Sequence, residues 1–243
     1  MSMTWNDVAM EMAYEARHNE AVMEEATLNQ CIYLFVEGLS EARAFPILLE
    51  KAGVNLKELG ILLANYNGSG NLVHSLRLLK LTLSHARPVV ATVDNDENGA
   101  KIILECRSHF QEEDLIHLFP IPSRRKVRYP NGHVGGSFEE LFSAERFLAC
   151  CFREEVMEQS LVARKREFAR AFDKNKPWYL QVKAFCAQYG DNSGPRKAKL
   201  AELLARECHT VPSSIMKLAT LLKEVRKTHP VKDPRDVDVP GFG

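Results

Sequence analysis

Four short apolar runs, separated by stretches of helical periodicity, set the narrowest limit on what this chain can fold into. They are CIYLFV (residues 31–36), ILLANY (61–66), PVVATV (88–93) and LIHLFPI (115–121). Each is too short for a typical helix and rich in β-branched or aromatic side chains, the pattern of a strand buried on both faces. Between them, residues 39–52 (closed by Gly53), 72–84 and 100–110 carry apolar positions at helical spacing. Strand, helix, strand, helix at this rhythm calls for right-handed crossovers and a parallel four-stranded sheet with helices on its faces.

The flanks differ from this core. Val8, Met12 and Ala16, then Ala21 and Val22, recur at helical spacing, so the first residues are expected to form a helix. After Pro122 the segment SRRKVRYPNGHVGGS turns basic and then Gly-rich, as a long loop or hairpin would. From Phe138 onward helices are expected over 138–152, 154–173, 177–189, 196–208 and 213–227, with breaks at Pro177, Gly190 to Pro195 and Pro212. The expected organisation is an N-terminal helix (1–29), an α/β core (30–145), a helical extension (146–230) and a frayed tail (231–243).

Bulk properties exclude several classes. Lys plus Arg and Asp plus Glu both number 32, so no global field draws the chain to nucleic acid and any binding face must be local. No run approaches the roughly 18 apolar residues of a membrane span. The N-terminus is too acidic and interrupted for a signal peptide. The six cysteines (31, 106, 150, 151, 186 and 208) form no CxxC and lie in apolar contexts, as buried free thiols of a reducing cytoplasm do.

The chemistry lies at the strand ends. Glu37 follows the first run; Asp94 and Asp96 follow the third. Carboxylates at the C-terminal edge of a parallel sheet are the oxygen ligands hard divalent cations need, and such ions drive phosphodiester chemistry. Asp94 and Asp96 are two apart, so on an extended chain they point the same way and repel unless a cation neutralises them. The competing reading has Asp96 capping the next helix and Asp94 solvated. Glu41 falls in the first turn after Glu37, where the helix dipole alone would also favour an acid.

DNDENGAKIILE also matches the calcium-hand string D-x-D-x-N-G-x5-E through Asp94, Asp96, Asn98, Gly99 and Glu105. A calcium hand follows a helix, whereas PVVATV reads as a strand, and Lys101 stands at the usually apolar loop position. The hand is therefore rejected, while the two aspartates remain disposed to hold a cation.

Other groups point to phosphates. Asn67, Gly68, Gly70 and Asn71 form a loop that could present backbone N–H groups to an anion. Arg124, Arg125, Lys126 and Arg128, with Tyr129, form the densest basic cluster near the acids and suit nucleic-acid binding. Arg164, Lys165, Arg166 and Arg170 are interleaved with acids, as on a solvated helix face.

FVEGLSEARAF, NYNGSGN and VDNDENGAK, in that order, resemble a Toprim domain, the Rossmann-like fold shared by topoisomerases, bacterial primases and several nucleases. The EGxxE form, the Gly-Asn loop and the downstream SFEELF resemble the OLD family of nucleases most. The resemblance covers about residues 30–145 clearly and the helical tail more weakly. It implies that Glu37, Asp94 and Asp96 bind catalytic metal, Mg2+ or Mn2+, with Glu41 as a further ligand. It implies a later glutamate in a second metal site, Glu139 with Glu140 as rival. It also implies a lysine acting on the reacting phosphate, Lys197 with Lys199 as rival, although a plain solvated helix lysine is an equal reading of Lys197. The chain has no GxxxxGK[ST] phosphate loop, so it resembles the nuclease half of those proteins alone. Any nucleotide control would then come from a separate ATPase partner. The resemblance thus implies a metal-dependent endonuclease on DNA or RNA, an effector in phage defence and a homodimer. An rRNA-processing Toprim ribonuclease and a non-enzymatic module binding nucleic acid or a partner are the alternatives.

Overall fold

A computed structural model describes residue 12 and residues 30–82, 87–111, 114–121 and 126–231. The N-terminal helix expected over 1–29 falls almost wholly outside the described residues, as do Arg124, Arg125 and nearly all of the tail.

The four apolar runs form one parallel sheet: β1 (Ile32–Val36), β2 (Ile61–Asn65), β3 (Val89–Asp94) and β4 (Ile116–Ile121), in the order β2-β1-β3-β4. Helices α1 (Leu39–Lys51), α2 (Leu72–Thr82) and α3 (Glu97–His109) make the crossovers. This is the flanked parallel α/β architecture that the strand and helix rhythm predicts. Strand order reverses between β1 and β3. The crevice between their C-terminal ends is therefore a topological switch point, where open α/β sheets bind ligands. The acidic stations leave β1 and β3 at that crevice.

Alternation along β1 divides the core. Ile32, Leu34 and Val36 face α1 and the C-terminal helices, whereas Tyr33 and Phe35 face α2 and α3. The larger cluster runs without interruption from β1 to Leu222 and Val225.

Several boundaries differ from the sequence expectation. The third helix starts at Glu97, not near residue 100, because the Asp96 carboxylate accepts from Gly99 N (2.8 Å) and caps it. Gly99 is required there: a Cβ would lie 1.9 Å from the Asp94 carbonyl oxygen. The basic, Gly-rich segment closes into a hairpin of β5 (Val127–Arg128) and β6 (Val134–Gly135).

The helix expected over 138–152 is instead a 3-10 turn, Phe138–Leu141, followed by α4 (Ala144–Cys151). Ser143 starts α4 by accepting from Arg146 N at 3.2 Å. The helix expected over 154–173 is two short pieces, α5 (Gln159–Val162) and α6 (Lys165–Ala171). In the stretch before them the Val156 carbonyl accepts from Arg196 N (2.8 Å) rather than continuing a helix. The last three helices are α7 (Trp178–Gln188), α8 (Lys197–Arg206) and α9 (Ser213–Thr228).

Two cations fasten the C-terminal helices to the sheet layer. Lys51, in the last turn of α1, donates to the carbonyls of Ala205 (2.8 Å), Arg206 (2.6 Å) and Cys208 (2.9 Å) at the end of α8. Those carbonyls have no helical partner, so the lysine satisfies them and meets the negative end of the dipole. Arg226 on α9 donates to Gln30 O (3.1 Å), Leu59 O (2.8 Å) and Gly60 O (3.0 Å), pinning the starts of β1 and β2. All six cysteines are buried and unpaired, as their contexts suggested. Among the described residues no helix is long and apolar enough to cross a membrane.

Candidate active site

Four carboxylates reach the switch-point crevice from four separate segments. Glu37 leaves the end of β1, Glu41 stands in the first turn of α1, Asp94 ends β3, and Glu139 sits in the 3-10 turn after the hairpin. Each placement has a local cause. Gly38 is the extended N-cap of α1 (φ −158°), and its N–H donates to the Glu41 carboxylate (3.1 Å), which holds that acid beside Glu37. The loop after β2 closes on the same point: Gly68, at φ 106°, donates its N–H to Glu37 O (2.8 Å). Tyr66, buried at the start of that loop, donates its hydroxyl to Thr92 O (2.8 Å) and ties β2 to β3.

Glu139 arrives by a less obvious route. The hairpin rests on the backbone between the two aspartates, where Gly136 N donates to Asn95 O (3.1 Å). Gly135 makes this possible, since a Cβ there would stand 2.0 Å from Asn95 O. The turn that follows then carries Ser137, Glu139 and Glu140 to the crevice.

Partners separate the two adjacent glutamates. Glu140 accepts from Ser137 N (2.8 Å) and Trp178 N (2.9 Å), capping its own turn and the start of α7. Glu139, 2% exposed, faces Lys197 across 3.8 Å. Ser137 Oγ lies within hydrogen-bond reach of both carboxylates, at 2.8 and 2.7 Å. The two lysines separate likewise. Lys197 opens α8 with its ammonium 5.3 Å above the Tyr179 ring, whereas Lys199 turns to Glu202 at 3.4 Å.

Electrostatics mark the four acids as one group. Burial first, then the charges of Glu41 and Asp96, push the Glu37 carboxyl up to about 6. Asp94 is raised well above the usual carboxylate range by burial and then by Glu41, Glu37 and Glu139. Glu41 is raised by burial, and Glu139 adds to the shift. Lys197 opposes all three of these shifts. In return Glu139, followed by Glu41, Asp94 and Glu37, pushes the Lys197 ammonium up against the opposing effect of burial. The lysine is the group's shared counter-charge. Asp96 stands at the margin, its Oδ1 engaged as the α3 cap. A cleft of about 320 Å³ opens between residues 37–41 and the Asn67–Gly68 loop, with Lys197 on its wall.

Among the described residues, no three His, Cys, Asp or Glu groups stand close enough to hold an ion as they are. The donor chemistry nevertheless fits a hard divalent cation. All four donors are carboxylates, and mutual repulsion in a buried crevice gives them a reason to accept positive charge.

Of the basic cluster, Lys126 and Arg128 are exposed, on and just before β5, and do not enter the acidic crevice. Tyr66, Ser137, Tyr179, Gly135 and Gly136 were not singled out from the sequence as site-building residues. Only the paired glycines before SFEELF carried a signal, since adjacent glycines often mark a close backbone approach.

A parallel sheet in this order, with acids at the ends of β1 and β3 and a glycine loop after β2, defines a Toprim-type domain. More narrowly, residues 32–96 match the family described as "Overcoming lysogenization defect protein-like, TOPRIM domain". Among solved structures it is similar to the C-terminal region of the Xanthomonas campestris pv. campestris OLD protein. The identity is 16% and the TM-score 0.46, over 82% of this chain and 96% of that one. The C-terminal region of the Burkholderia pseudomallei OLD protein is similar at 16% identity and TM-score 0.43, over 80% of this chain and 98% of that one. No curated protein matches the chain by sequence.

Proposed function

We propose that the protein is a metal-dependent nuclease that hydrolyses phosphodiester bonds of DNA or RNA. One observation carries the proposal: Glu37, Glu41, Asp94 and Glu139 converge from four segments on a crevice where Lys197 is their shared counter-charge.

In this proposal Glu37, Glu41, Asp94, Asp96 and Glu139 would hold one or two Mg2+ or Mn2+ ions. Such ions lower the pKa of bound water and offset charge on a phosphate oxygen. The chain supplies the rest. The Asn67–Gly68 loop forms one wall of the cleft, and Lys197 offsets charge on the phosphate under attack. Lys126 and Arg128 supply phosphate contacts outside the crevice. The match to an OLD-like Toprim family motivates the further proposal of an ATPase partner and a phage-defence setting.

The test is incubation of the protein with plasmid, single-stranded DNA and total tRNA, with Mn2+ or with EDTA. Mn2+-dependent cleavage is expected in at least one arm. Glu37→Ala and Asp94→Ala should each lower it roughly 100-fold or more, at or beyond the 10- to 100-fold cost of losing an outer-shell partner. Undiminished cleavage by both variants would refute the assignment.

A further inference from the structure

A second cavity, outside the acidic crevice, lies between the β5–β6 hairpin and the start of α7. It measures about 580 Å³, within the roughly 300–1,000 Å³ of small-molecule sites. Its walls are mostly apolar: Tyr129 and Pro130 from the hairpin, Pro177 and Leu180 from α7 and the residue before it. Leu180 is 48% exposed there, an apolar side chain held open to solvent on a helix that buries its other face. The rim carries Arg128 from the hairpin and, before α7, Lys176 together with Asp173. Arg128 has no carboxylate partner among the described residues, and Lys176 approaches only Asp173, at 3.7 Å.

We infer that this cavity receives an unpaired nucleobase of the nucleic-acid strand, next to the phosphate held at the acidic crevice. The inference rests on the nuclease proposal and adds the form of substrate: single-stranded or locally opened.

Four features argue for it. Apolar walls that include the Tyr129 ring, beneath a rim that carries Arg128, match a nucleotide, whose base is flat and whose phosphate is anionic. The cavity also adjoins the crevice through one residue. Tyr129 lines the cavity, and its hydroxyl sits close enough to Glu140, Asp96 and Asp94 to be raised by them, after burial itself. The same hairpin docks on Asn95, between the two aspartates, so one hairpin joins the cavity to the acids.

Finally, the Gln181 side-chain amide is already occupied. Gln181 Nε2 donates to Asp173 O (2.8 Å) and Lys176 O (3.0 Å), and its Oε1 accepts from Asp173 N (2.9 Å). Gln181 has little capacity left to read a base edge, which leaves stacking on Tyr129 as the main hold on a base. A base inside a duplex cannot enter such a cavity unless it leaves the stack.

The experiment measures anisotropy of fluorescein-labelled 12-mers on the full chain carrying Asp94→Asn, which suppresses cleavage. The probes are single-stranded DNA, single-stranded RNA, the same DNA as a duplex, and a DNA strand with abasic sites. Leu180→Asp and Tyr129→Ala should each weaken single-strand binding roughly 5- to 100-fold, the range of a base–aromatic stack, with little effect on the duplex. Leu180 is exposed, so its variant is expected to fold even if the tyrosine variant does not. Abasic DNA should bind the parent as weakly as intact DNA binds the variants, and the DNA and RNA arms report which sugar is accepted. Unchanged single-strand binding by both variants, or abasic DNA binding as well as intact DNA, would overturn this inference and leave the nuclease proposal standing. Absence of binding to every probe would overturn both.

Discussion

Glu37 shows at the scale of one residue how the crevice is poised. Its carboxyl, raised to about 6 by burial and by Glu41 and Asp96, holds a proton in the folded chain that the unfolded chain has already lost. Its contribution to stability is therefore complete below the usual glutamate value of about 4.3 and is lost as pH rises through about 6. Without divalent cations, Glu37→Gln should melt higher than the parent at pH 7 and at nearly the same temperature at pH 4.5. Added Mn2+ should raise the parent's midpoint at pH 7 more than the variant's. Parallel pH profiles for the two proteins would contradict this electrostatic account.

Adjacent acids also show where sequence stops being legible. Glu139 and Glu140 are equivalent in a linear reading, because one residue of shift in a short 3-10 turn reverses which carboxylate faces inward. Only the partners separate them: two backbone N–H groups on Glu140, Lys197 on Glu139. Lys197 and Lys199 pose the same problem and are separated the same way.

Among elements, the strands were the most legible, because runs that are apolar on both faces and six or seven residues long have few other destinations. Helix starts were less so. DNDENG reads as a loop by composition, yet its last three residues are the first turn of α3, since Asp96 supplies the cap and Gly99 the clearance. The β5–β6 hairpin was legible only as a Gly-rich stretch. Its function as a bracket depends on a contact with Asn95 that no local pattern encodes.

That contact makes a prediction for the element. Gly135→Ala would place a Cβ 2.0 Å from Asn95 O and 2.7 Å from His133 Nε2, so the hairpin must lift away. The overpacking should cost about 1–3 kcal/mol in urea denaturation. It should also reduce Mn2+-dependent cleavage, because Ser137 and Glu139 ride on the same segment. A variant with unchanged midpoint and activity would show that the hairpin does not brace the site.

For the whole molecule, the decisive packing is α8 against α1. The two helices begin at the crevice, with Lys197 on one and Glu41 on the other, and are fastened at the far end by Lys51. The helical extension therefore contributes both a shared core and the counter-charge of the acids. Sequence periodicity predicted most of its helices but not this docking, which depends on long-range contacts of α1 with residues more than 150 positions away. A cluster shared by the sheet and the C-terminal helices implies one transition: far- and near-ultraviolet circular dichroism should report the same urea midpoint. Lys51→Ala should lower both signals together. A separate early loss of the C-terminal helices would contradict a shared core.

The central claim, that Glu37, Glu41, Asp94 and Glu139 form a divalent-cation site, is tested most directly by calorimetric titration of the protein with Mn2+ at pH 7.5. The account predicts saturable binding by the parent and a loss of roughly 100-fold or more in affinity for Asp94→Asn, with the variant folded by circular dichroism. Equal Mn2+ affinity in the two proteins, or no binding by the parent, would contradict it.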